Sequence, residues 1–152
     1  MKGRHSLSAI FCQVALLFVL FIGACQKDDH VWSPEELKSS NYFYSAQRDN
    51  REASRIINRA GEVFSIDEKQ KVTKLTESAL ENARKVDDNF LSKVHPEFKK
   101  HFRGEFQTAL ELARKNLDHP DSKTARSAEE LFSAFVDWYN ANRDDIHMPP
   151  AY

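Results

Sequence analysis

The chain has 152 residues, 41% of them hydrophobic and 30% charged, with a formal net charge of −1. That length suits one domain, and the composition is that of a folded chain and not of a disordered tail. Residues 1–24 carry Lys2 and Arg4 and no acid, so the remainder holds 20 basic and 23 acidic residues, a near balance that gives nucleic acid no electrostatic footing.

Residues 1–24 read as a signal peptide to be cleaved. Lys2 and Arg4 make a positive start, Val14 to Ala24 run apolar without interruption, and the small residues Gly23 and Ala24 close the run. A run of that length is too short for a retained membrane helix, which needs about 18–20 apolar residues. The run ends in Ile22-Gly23-Ala24-Cys25. This tetrapeptide resembles the lipobox of bacterial lipoproteins, which is an aliphatic residue, two small residues and an invariant cysteine, although Leu is commoner than Ile at its first position. The resemblance covers only the first 25 residues. It implies a diacylglycerol thioether on Cys25, cleavage before it and acylation, as by palmitate, of the new amino group. The membrane would then be a partner through Cys25. Gln26, where an Asp would signal inner-membrane retention, implies the outer membrane and its periplasmic face. Cys12 is lost with the leader, so the mature chain would keep one cysteine and no intrachain disulfide.

Residues 25–32 hold the lipidated cysteine and a short tether. Its six residues 26–31 reach about 20 Å when extended. The helical domain is expected over 33–143. Ser33, Pro34 and Glu36 predict a capping box at its first helix, with Trp32 and Leu37 as a hydrophobic staple. Phe43, Ala46, Ala53, Ile56, Ile57 and Ala60 recur at helical spacing, with Asn50 as the odd polar member and Gly61 as the stop. A second helix is predicted from the Ser65/Glu68 capping box through Val72, Leu75, Ala79, Ala83, Val86, Phe90 and Val94 to His95-Pro96. A third starts at Pro96 and buries Phe98, Phe102, Phe106, Ala109, Leu110, Ala113 and Leu117. A fourth follows the break at 118–121, capped by Asp121 or Ser122, with Ala125, Ala128, Leu131, Phe132, Phe135, Trp138 and Tyr139 inward. Residues 144–152 form a polar, proline-containing tail expected to be loosely ordered. No segment alternates like a strand. The fold class is all-α: an up-down antiparallel bundle of about four helices that must share one core, because each has a single apolar stripe.

Chemical signatures are sparse. Glu97, His101 and Glu105 are each four residues apart and His95 lies beside them, a spacing that could ligate a metal. The run also carries Lys99, Lys100 and Arg103 and lacks both HExxH and the paired Glu-x-x-His of di-iron bundles, so it reads as a solvated helix surface and no metal is expected. Haem is not expected either, since there is no Cys-x-x-Cys-His and Met148 falls in the tail. No nucleophile elbow or phosphate loop occurs, and the acid pairs Asp87-Asp88 and Asp144-Asp145 read as solvated. The chain is therefore read as a non-enzyme without cofactor.

Aromatic residues are the remaining signal. Tyr42, Phe43 and Tyr44 fan over about 200° of a helix, from 100° per residue, and cannot all face one core. With Trp138 and Tyr139 on the fourth helix, Tyr42 and Tyr44 are the candidate partner-binding residues. A bulky aromatic core is the plainer alternative. The functional expectation is an anchored helical module that binds another envelope protein, as an assembly or accessory factor. It is similar to pilotins in size and layout only. The second reading is a carrier of a small apolar ligand or lipid in a pocket between helices.

Overall fold

The computed structural model describes residues 31–60 and 64–151; the expected signal peptide over 1–24, Cys25 and Gly61 lie outside the described residues. Within them the protein is an all-α helical bundle with no strand. Its elements are α1 (Pro34–Ala60), α2 (Ile66–Lys85), α3 (Asp88–Val94) and α4 (Phe98–His101), then a π-helical segment (Phe102–Gln107), α5 (Thr108–Asp118), α6 (Ser122–Ala141) and a 3-10 turn (Arg143–Asp145).

The capping chemistry sets the helix starts. Ser33 N donates to Glu36 Oε2 at 2.7 Å, and Glu36 N donates to Ser33 Oγ at 3.3 Å. Ser65 and Glu68 repeat this reciprocal pair at α2. Asp121 caps α6 by accepting from Thr124 N at 2.8 Å. Each device satisfies donors that the first helical turn leaves open. Trp32, placed ahead of α1, packs edge-on against Phe90 of α3 with centroids 5.9 Å apart.

Neighbouring helices run antiparallel. Asp87 N donates to Ser39 Oγ, Ser78 Oγ donates to Asp49 Oδ2, and Ile56 clusters with Val72, so α1 ascends as α2 descends. Arg84 pairs with Glu111 and Arg114 with Glu77, which fixes α2 against α5. Phe106 meets Phe132 and Phe98 meets Tyr139, which fixes the run from α4 to α5 against α6.

The predicted second helix is broken in two. Val86 is extended, and Asp87 restarts the chain by accepting from Asn89 N at 2.9 Å and Phe90 N at 3.0 Å. Periodicity runs straight through the break because α3 resumes the same apolar row. Arg103 supports the joint: its guanidinium donates to the carbonyls of Ala83 and Val86 and pairs with Asp88. Carbonyls that a continuous helix would have used internally are thereby satisfied.

The third predicted helix begins two residues late, after a turn at Pro96 and Glu97, and contains the π segment. Phe98, Phe102, Phe106 and Leu110 step by four. In an α-helix such a row drifts about 40° per step, from 3.6 residues per turn. The wider turn of the π segment takes up that drift, and all four residues are fully buried. Thr108 Oγ1 donates to the carbonyl of Arg103, five residues back, within this segment.

The tail departs from expectation. Ile146 is 8% exposed, Met148 packs on the main core, His147 N donates to Val94 O at 3.1 Å and Tyr44 Oη donates to Pro149 O at 2.9 Å. The described part of the tail is docked, because it carries an apolar pair that composition alone hides among polar neighbours.

Candidate functional site

The four candidate aromatic residues divide into two places. Tyr44, Trp138 and Tyr139 gather where the first half of α1, the end of α6 and the tail meet. Phe98 is the hub, with its ring 5.6 Å from Phe43, 5.6 Å from Trp138 and 6.2 Å from Tyr139. Tyr42 lies on the α2 side instead, half-buried, with Lys85 Nζ 5.7 Å and Lys38 Nζ 6.0 Å from its ring centre.

Burial governs the two tyrosines of the cluster. It raises the pKa of the Tyr44 phenol, whose hydroxyl is held by the tail carbonyl of Pro149. Tyr139, 9% exposed, is pushed up to about 12, first by burial and then by the neighbouring Tyr44. Both rings therefore belong mainly to the packed interior. Trp138 is half-buried and lies parallel to the His101 imidazole, with centroids 4.2 Å apart and planes 12° apart. His95 meets the same indole edge-on at 5.4 Å.

The histidine and carboxylate run is occupied by local contacts. His101 Nδ1 lies 2.9 Å from Glu105 Oε1, with the two side chains 14% and 22% exposed. Glu97 turns to Lys100 at 4.0 Å, and its backbone N–H donates to His95 Nδ1 at 3.2 Å. Among the described residues no group of three or more His, Cys, Asp or Glu side chains converges as a metal cage would. The His101–Glu105 pair is oriented by the Trp138 face. Together the stacked indole and the Glu105 carboxylate hold the His101 ring in place from two sides.

Electrostatics elsewhere stabilise joints. Lys99 and Arg103 hold the Asp88 carboxyl below its ordinary pKa at the α2–α3 break. Lys93 and the Ser33 backbone do the same to Glu36, and the Lys93 ammonium lies 5.3 Å from the Trp32 ring centre.

Two kinds of residue escaped the sequence reading. Arg103 reads as part of a solvated face, whereas it closes the α2–α3 joint; Asp88, with which it pairs, is the available signal. The other kind is polar and buried on α1: Ser39, Ser40, Gln47, Asp49 and Asn50. Asn50 alone stood out from the periodicity, because the others flank the apolar stripe and read as its solvent edge.

No helix among the described residues is long and apolar enough to cross a membrane. No protein-family model, no curated protein and no solved structure matches the chain.

Proposed function

We propose that this chain is a membrane-anchored bacterial lipoprotein whose helical bundle serves as a protein-interaction module of the cell envelope. The observation that carries this reading is Ile22-Gly23-Ala24-Cys25, set behind a basic and apolar leader and followed within seven residues by a side chain, Trp32, that packs on the bundle. Two or three acyl chains on Cys25 give stable anchoring, at about 0.8 kcal/mol per buried methylene. The six-residue tether keeps the start of α1 and the adjacent α3 within about 20 Å of the lipid. The opposite end of the bundle then points outward, about 40 Å away along the 27 residues of α1 at 1.5 Å each.

Ring packing favours a module over a carrier. Phe98, Phe102, Phe106 and Phe135 are fully buried against one another, with neighbouring centroids 5.2–6.4 Å apart, where a carrier would keep its cavity. The half-exposed Tyr42 and Trp138 are the aromatic surface offered to a partner.

Metabolic labelling with a palmitate analogue tests the anchor. Wild type is expected to take up label and Cys25→Ala to lose it together with membrane attachment; an unlabelled wild type refutes the reading. Envelope crosslinking with Tyr42→Ala tests the module, and equal recovery of every partner removes Tyr42 from the surface.

A further inference from the structure

The edge of α1 that carries Tyr44 holds polar side chains without partners. The opposite edge belongs to α2, through Asp49 with Ser78 and Ile56 with Val72. Tyr44 reaches the tail and neighbours Tyr139 of α6. Steps of three and four residues place Gln47 and Arg51 on the Tyr44 edge, one and two turns further along, with Asn50 beside them. Gln47 is 4% exposed, Asn50 9%, and Arg51 is half-buried.

Gln47 Nε2 and Arg51 Nε are shut off from solvent and have no hydrogen-bond partner. Arg103 and Arg114, also half-buried, are paired with Asp88 and with Glu77 and Asp118. The Nε of Arg103 donates to Asp88 and that of Arg114 to Glu77, whereas Arg51 Nε has no such partner among the described residues. The buried row of α6 is Ala125, Ala128, Phe132, Phe135, Val136 and Tyr139, whose side chains offer one hydroxyl and no carboxylate. Both orphaned atoms are donors only. A guanidinium fork is matched by two oxygens of one anion, and a neighbouring carboxamide adds a further N–H.

We propose that Gln47, Asn50 and Arg51 form a binding site for an oxyanion, a carboxylate or phosphate group, on the α6-side edge of α1. Arg51 supplies the charge and the fork, and Gln47 and Asn50 supply amide donors from the buried side. The site is independent of the lipid anchor.

Thermal unfolding of the full chain in neutral detergent tests it, with sodium phosphate and sodium acetate in separate arms against sodium chloride at equal ionic strength. One anion is expected to raise the Tm saturably, and that arm names the ligand as phosphoryl or carboxylate. Its apparent affinity should fall about tenfold or more in Arg51→Gln and in Gln47→Leu. Gln47→Leu exchanges a buried amide for an apolar side chain of similar size, so it keeps the fold while removing a donor. Salts excluded from protein surfaces raise the Tm without saturation and equally in all three chains. That result, no rise at all, or a saturable rise unchanged in either variant overturns the proposal.

Discussion

At the end where α1 begins, Phe43, Phe90, Phe98, Phe102 and Phe135 interlock with Leu91, Val94 and the docked Ile146. At the end where α1 finishes, the core has narrowed to Ala53, Ile56 and Val72, with Ile57, Phe64, Leu75 and Leu117 half-buried around it. Ile66 stands 78% exposed there. Cohesion in this bundle follows ring volume: each buried aromatic brings large apolar area, and suitably placed ring pairs add about 0.5–1.5 kcal/mol each. The other end has a single half-buried ring, Phe64, and no ring pair among the described residues, so hydrogen exchange should be fastest in the last turns of α1 and the first turns of α2. In the proposed anchored form the firm end is the one tied to lipid and the loose end is the one presented outward.

The comparison can be broken most forcefully at the hub. Phe98→Ala should cost about 3–5 kcal/mol in denaturant unfolding, because a fully buried ring with five aromatic neighbours leaves a cavity. A cost below that range would mean that the aromatic end repacks freely and is not the firm one.

Alkaline pH attacks the same end chemically. The Tyr139 phenol is raised from 10.0 to about 12 in the folded protein. A raised pKa means that the stabilising contribution is whole below pH 10 and is lost as pH climbs through about 12, since the unfolded chain gives up its proton first. The loss amounts to about 3 kcal/mol, from 1.36 kcal/mol per unit. Unfolding midpoints measured from pH 9 to 12 should fall in wild type and fall less steeply in Tyr139→Phe, with Tyr44 supplying the remaining slope.

Arg103→Met sharpens the comparison at the α2–α3 joint. It removes the donor to the Val86 carbonyl, and one of the two donors to the Ala83 carbonyl, while sparing the phenylalanines, so a cost of about 2 kcal/mol is expected by thermal unfolding, with faster amide exchange confined to α3. The smallest effect is expected at the aliphatic end. Ile56→Val should cost about 0.5–1.5 kcal/mol, and calorimetry finding it as damaging as the Phe98 substitution would erase the distinction between the ends.

Helix existence, caps and inward faces were legible in the sequence because 3.6-residue periodicity and capping boxes are local signals. Ser33, Ser65 and Asp121 each act within three residues of their own position. The break at Val86 was not legible, since the apolar row runs through the local Asp87 cap and the open Val86 carbonyl is met by Arg103, seventeen residues on. The docked tail and the Phe98 hub depend on contacts across the chain, which no window can display. Of the candidate aromatic residues, the sequence shows the helical fan but not their division into a tail-covered cluster and a separate Tyr42. The unpartnered donors of Gln47 and Arg51 are invisible until burial is known.

Intact-mass spectrometry of the chain taken from its native membrane tests the central claim most directly. The account predicts a polypeptide that starts at Cys25 and carries a diacylglyceryl group on that sulfur. A mass that retains residues 1–24, or one that starts at an unmodified Cys25 thiol, contradicts it.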